Sequence, residues 1–173
     1  LVGLRGTGKS TLGRALAARL GWPLRDSDDE LAAAVARPAG AWLAEVGEAA
    51  FRAREQAIVL ALLADPGPFV LATGGGAITS GPVRAALGAS DLLTVWLQAA
   101  PAVLMARLLA SPILRPPLTG LPTAEEAALL ATQRAPLHAA VARLVIDTGA
   151  VCVALAVTQI EAAMRSADSP PTQ

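Results

Sequence analysis

The chain of 173 residues has a single cysteine, a single histidine, a single lysine and no tyrosine. With Cys152 alone, no internal disulfide can form, so a packed core has to hold the fold together. Acidic and basic residues balance at 14 each, which excludes a global attraction toward nucleic acid or an anionic membrane surface. Any phosphate recognition must then be local. Apolar residues make up 54% of the chain, but much of that is alanine. The longest uninterrupted apolar runs, residues 57–64 and 150–157, fall well short of the roughly 20 residues that a bilayer span takes. Nothing at the start reads as a signal peptide. These absences predict a cytoplasmic protein with no nucleic-acid or membrane partner; a monomer is the expectation, though composition does not decide it. The length suits one α/β domain over residues 1–165, followed by a disordered polar tail over 166–173.

With lysine so scarce, the place of Lys9 is informative. It lies in Gly3-Leu4-Arg5-Gly6-Thr7-Gly8-Lys9-Ser10, which matches G-x-x-x-x-G-K-[ST] at every fixed position. The apolar pair Leu1 and Val2 precedes the motif, and a helix-forming run from Thr11 to Ala17 follows it. Strand stub, glycine loop and helix are the context in which this pattern becomes a phosphate site. Backbone N–H groups of such a loop turn inward on phosphate oxygens, and the helix N-terminus adds partial positive charge. Gly6, Thr7, Gly8, Lys9, Ser10 and Thr11 are therefore the expected ATP-binding residues, with the Ser10 hydroxyl offered to Mg²⁺. Leu1 falls inside the expected first strand, which reads as shortened on its N-terminal side and leaves room for an upstream segment.

Downstream, apolar spacing predicts a helix over residues 9–20, stopped by Gly21 and Pro23, and a short strand over 24–26. A helix capped by Asp28 should run over 30–37, and two helices should flank Gly47. Further strands are expected at 69–72, 92–97 and 144–147, and further helices after Ser80, over 101–110, over 123–141 with a break near Pro136, and over 151–164. Strands alternating with helices imply a parallel sheet of five strands covered on both faces, the three-layer P-loop kinase arrangement with ligands at the carboxyl edge. Residues 111–122 hold four prolines in twelve positions and read as a long lid loop.

Two carboxylates, Asp26 and Asp28, follow the strand that should neighbour the phosphate loop. One could polarise metal-bound water, and the other could accept a proton from a substrate hydroxyl. Taken alone they would read better as an N-cap plus a solvated acidic turn, and only the phosphate loop nearby reverses that preference. Arg52 has Glu55 one helical turn on, placed to orient its guanidinium. Gly74-Gly75-Gly76 ends a buried strand and would let a ligand approach the backbone.

Taken in order, Gly3 to Ser10, Asp26-Ser27-Asp28, Gly47-Glu48 with Phe51-Arg52-Ala53-Arg54-Glu55, Thr73-Gly74-Gly75-Gly76, Arg115-Pro116-Pro117-Leu118-Thr119-Gly120 and Gln133-Arg134-Ala135-Pro136-Leu137 resemble shikimate kinase along nearly the whole chain. The resemblance implies ATP- and Mg²⁺-dependent phosphorylation of the 3-hydroxyl of shikimate, on the route to chorismate and the aromatic amino acids. It implies catalytic roles for Lys9, Asp28 and Arg115, with Asp28 as base and Arg115 as the lid arginine that also contacts ATP. It further implies metal contacts from Ser10 and, through water, Asp26, and a shikimate pocket of Asp28, Arg52, Gly74, Gly75, Gly76 and Arg134. Planar carboxylates favour arginine forks, which fits Arg52 and Arg134. Two features depart from the family: His138 stands where tyrosine is usual, and Arg5 occupies a loop position often held by a smaller residue. Arg107 is a further candidate to stack on adenine. Another small-molecule kinase of the same fold, or a ligand-sensing domain without catalysis, stays open at this point.

Overall fold

The computed structural model describes residues 1–89, 91–110 and 123–167. The expected lid, residues 111–122 with Arg115, lies outside the described residues, as do residues 168–173 of the expected tail. Ser166 and Ala167, expected in that tail, belong to the last helix.

Helix α1, Lys9–Leu20, starts at Gly8 with φ 87° and stops at Gly21 with φ 68°, two left-handed positions that a side chain would strain. Strand β1, Leu24–Asp26, pairs in parallel with β2, Val70–Ala72. Strand β3, Val95–Gln98, pairs in parallel with β4, Leu144–Asp147. The fifth expected strand is present only as the Leu1–Val2 stub. Val2 N donates to Val95 O and Leu97 N donates to Val2 O, while Thr73 N donates to Leu1 O, so the stub joins the two pairs.

The connecting helices are α2 Ser27–Val35, α3 Ala39–Leu63, α4 Gly81–Leu87, α5 Pro101–Leu109, α6 Thr123–Ala139 and α7 Val153–Ala167, with a short 3₁₀ turn at Ala77–Thr79. Helix α3 bends at Gly47, whose φ of 79° and ψ of 167° leave the helical region, as expected for two helices meeting there. Helix α6 runs through Pro136 as far as Ala139 rather than breaking. An exposed proline removes one backbone donor but leaves neighbouring bonds such as Ala140 N to Pro136 O intact.

One expected cap changes. The N-cap of α2 is Asp26, whose Oδ1 accepts from Asp28 N at 3.0 Å, so the helix starts before Asp28. Asp26 is extended at the end of β1, with φ −113° and ψ 118°, and its side chain folds over the first turn. Asp28, inside the first turn, is left to direct its carboxylate elsewhere.

Two separate cores cover the strands. Leu12, Leu16, Val70, Leu97, Ile146 and Ile160 belong to one, and Val2, Val59, Ile78, Val83 and Val141 to the other. Along β3, Val95 and Leu97 face the first core while Trp96 packs against the second, because successive strand residues point to opposite faces. Helices α1 and α7 supply the first core and α3, α4 and α6 the second, which makes three layers with the strands in the middle.

Candidate active site

The phosphate loop links the strand stub to α1 and is built on glycine conformations. Gly3 has φ 146°, and a Cβ there would fall 2.3 Å from Leu97 O, so backbone contact with β3 demands the missing side chain. Gly6 and Gly8 have φ of 80° and 87°. Leu4 O accepts from Thr7 Oγ1 and from Lys9 Nζ, both at 2.8 Å, and Gly3 O accepts from Lys9 Nζ at 2.8 Å. Lys9 is thereby held across its own loop. Ser10 Oγ donates to Asp26 Oδ2 at 2.7 Å, so the hydroxyl and carboxylate assigned to the metal from sequence do meet. Thr11 lies exposed on the first turn of α1. Arg107, near the end of α5, donates to Gly6 O at 3.1 Å and to Thr148 O at 2.6 Å, bracing the loop from the β4–α7 side.

The second half of the site gathers around the three glycines after β2. A Cβ on Gly74 would fall 2.5 Å from Glu55 Oε1 and 2.7 Å from Asp28 Oδ1, so two carboxylates converge on that backbone. A Cβ on Gly76 would fall within 2.6 Å of both terminal nitrogens of Arg52. Arg134 donates to Gly75 O at 2.9 Å. Helices α2, α3 and α6 thus deliver Asp28, Arg52 with Glu55, and Arg134 to one glycine turn.

Glu55 is 3% exposed and accepts from Arg52 at 2.7 Å. Burial pushes its carboxyl pKa upward and the neighbouring Asp28 adds to this, against the pull of Arg52. Arg134 is 8% exposed, and burial together with the nearby Arg52 lowers its pKa. Two guanidinium groups sharing a partly dry pocket call for an anion between them. The Arg52 guanidinium also lies over the Phe51 ring, 5.3 Å from its centroid.

Every described residue assigned from sequence to the acceptor pocket therefore meets the others. Arg54, two residues after Arg52 and not assigned to the pocket, is exposed on α3. Ser27 joins them without having been expected: buried at 1% exposure, it accepts from Gly74 N at 2.8 Å and ties α2 to the glycine turn. Its only signal in the sequence is its place between two aspartates at a strand end.

A glycine loop that holds lysine and serine at a helix N-terminus, facing a polar pocket across a parallel sheet edge, defines a P-loop phosphotransferase. The shikimate kinase family model matches residues 5–165. A shikimate kinase of Caulobacter vibrioides (strain NA1000 / CB15N) is 41% identical over 167 residues, 96% of this chain and 82% of that protein. One of Mycobacterium marinum is 42% identical over 152 residues, 86% and 78% of the two chains. Among solved structures, a shikimate kinase from Acinetobacter baumannii in complex with shikimate superposes with a TM-score of 0.86 at 30% identity, covering 98% of this chain and 93% of that one. The chain belongs to the shikimate kinase family. It is accordingly an ATP- and Mg²⁺-dependent kinase of the shikimate pathway, leading to the aromatic amino acids.

Proposed function

We propose that the chain transfers the γ-phosphoryl group of ATP to the 3-hydroxyl of shikimate, with the phosphate loop holding the donor and the glycine turn at 74–76 holding the acceptor. The observation that carries this reading is the convergence of Asp28, Glu55, Arg52 and Arg134 on that turn. The two arginines suit a carboxylate, and the two acids suit hydroxyls. Asp28 takes the proton of the 3-hydroxyl as its oxygen bonds to the γ-phosphorus and the bond to the ADP oxygen breaks. Before transfer, Lys9 leaves the Gly3 and Leu4 carbonyls for the phosphate oxygens, where its charge offsets the one that develops. Ser10 and Asp26 offer only oxygen donors, which fits a small hard cation; they would hold Mg²⁺, Asp26 through water, and the ion would supply charge neutralisation at the phosphates. The resemblance gives Arg115 the matching role at the transferring phosphate.

An ADP-release assay tests the reading. Mg-ATP with shikimate should turn over, while the carboxamide analogue should lose roughly 100-fold in kcat/KM, the cost of leaving buried guanidinium groups without their anion. Equal rates with both acceptors would overturn the roles of Arg52 and Arg134. Faster turnover with gluconate or a nucleoside monophosphate would favour another kinase of this fold. One chain supplies every group named, which supports action as a monomer; sedimentation at assay concentration checks this. Among the described residues no helix is long and apolar enough to cross a membrane, which supports a cytoplasmic reading.

A further inference from the structure

His138 lies on α6 one turn beyond Arg134, stacked on Trp96 with centroids 5.5 Å apart and planes 15° from parallel. It is 2% exposed, and neither ring nitrogen meets a hydrogen-bond partner among the described residues. A buried polar atom left so is costly, and native proteins satisfy such atoms with protein or water. The ring borders a cavity of about 150 Å³ whose walls include Leu4, Thr7, Trp96, Gln98 and Ala131. A water occupies about 30 Å³ of liquid volume and needs two or more polar partners, so this space suits a small number of them. Burial above all, and then the charges of Lys9 from the phosphate loop and Arg134 from α6, lower the pKa of the imidazole to about 4. At neutral pH the ring is uncharged and offers one donor and one acceptor. Across the cavity stands the turn in which Leu4 O binds both Thr7 Oγ1 and Lys9 Nζ.

We propose that His138 is a positioning residue for the phosphate loop, acting through water in this cavity to hold the Leu4–Thr7 turn and, through it, Lys9. The inference rests on the phosphate-loop reading above. Water is the occupant because the walls are largely apolar side chains while the imidazole has two unmet polar atoms. A water held by the ring needs a next partner, and Leu4 and Thr7 of the loop line the cavity beside it, as does Gln98 of β3.

Steady-state kinetics of His138→Phe and His138→Gln, with thermal melts, test it. Phe keeps the ring but loses both polar atoms, whereas Gln keeps a donor and an acceptor. Phe should raise KM for Mg-ATP about tenfold, the effect of one lost hydrogen bond, with KM for shikimate within about twofold. Gln should recover most of that loss. An unchanged KM for ATP in the Phe variant would overturn the proposal. So would a parallel rise in both KM values tracking a fall in Tm, or a Gln variant no better than Phe. Should neither variant fold, Ala131→Leu fills the cavity from another wall and should produce the same selective rise; an unchanged KM for ATP there would also overturn it. Wild-type turnover of shikimate with Mg-ATP, abolished in Lys9→Ala, is the control that separates failure of this proposal from failure of the kinase reading.

Discussion

The donor half and the acceptor half of the site are built in opposite ways. The phosphate loop is one unbroken run from Gly3 to Ser10, and its shape comes from glycine torsions and hydrogen bonds within the run. The acceptor pocket has no such continuity, since Asp28, Arg52, Glu55 and Arg134 come from three helices and meet only over Gly74–Gly76. A local device is specified by neighbours in sequence. A convergent one is specified by packing, and its side chains share their errors. Substitutions in the first half should therefore register in stability or phosphate binding, and those in the second in acceptor handling and chemistry.

The sharpest break is expected at Asp28. Asp28→Asn removes the proposed proton acceptor while keeping shape, so kcat should fall on the order of 10³-fold, about 4 kcal/mol. Nucleotide affinity, measured by titration calorimetry, should stay unchanged, because the carboxylate belongs to the acceptor half. Wild-type turnover in the variant would remove Asp28 from the mechanism.

The next effect falls on the loop. Gly3→Ala would put a Cβ 2.3 Å from the Leu97 carbonyl at a φ of 146°, and both partners are backbone that cannot swing away. Strain and overpacking together should cost about 3 kcal/mol, a fall in Tm of roughly 10 °C. A melt within about 2 °C of wild type would mean that the stub and β3 part easily.

The same contrast explains which parts of the site are legible in sequence. The loop, α1 and its two glycine ends depend on neighbours, and the pattern of Gly3, Gly8, Lys9 and Ser10 is sufficient for them. Residues 26, 28, 52 and 74–76 stand out singly in the sequence, but their meeting with Arg134 in one pocket is reached through a resemblance, since nothing in their spacing says that three helices meet at one turn. Ser27 escapes both routes, because a serine between aspartates looks solvated until Gly74 N lies 2.8 Å from its hydroxyl. The expected cap of α2 falls two residues late because Asp26 and Asp28 are both good capping residues, and only the end of β1 decides between them. The Arg52–Glu55 pair has ordinary surface spacing, yet packing buries its acid, whereas Arg19–Glu161 stays at the surface with Arg19 66% exposed. Exposed pairs of that kind contribute little.

Acid stability separates the two halves by another route. The His138 imidazole has its pKa lowered from 6.5 to about 4 in the folded chain, so between those values the unfolded state binds the proton first. Stability is unaffected above about pH 6.5, falls as pH drops below it, and stops falling near 4 for this group. At about pH 5 the loss is about 2 kcal/mol. Urea unfolding of wild type and His138→Gln near pH 7 and near pH 5 should show that difference vanish in the variant. Equal pH slopes in the two proteins would mean that the ring is not held neutral.

The smallest expected effect is at Gly76, and it sharpens the comparison because its geometry looks worse than that of Gly3. A Cβ at Gly76 would fall inside the Arg52 guanidinium, closer than any atom lies to a Cβ built at Gly3. The neighbour here is the far end of a flexible side chain, however, and φ at Gly76 is −96°, open to any residue. Arg52 can swing aside at little cost to the fold, but then it leaves its bond to Glu55 and its place over Phe51. Glu55 is left buried with less compensation, and the acceptor pocket loses one arm of the proposed carboxylate clamp while Arg134 keeps the other. Gly76→Ala should therefore raise KM for shikimate about tenfold, near 1.4 kcal/mol, with KM for ATP nearly unchanged and only a small fall in Tm from the Glu55 left behind. A large loss of Tm instead would show that the arginine is locked in place and that the acceptor half is as rigid as the loop.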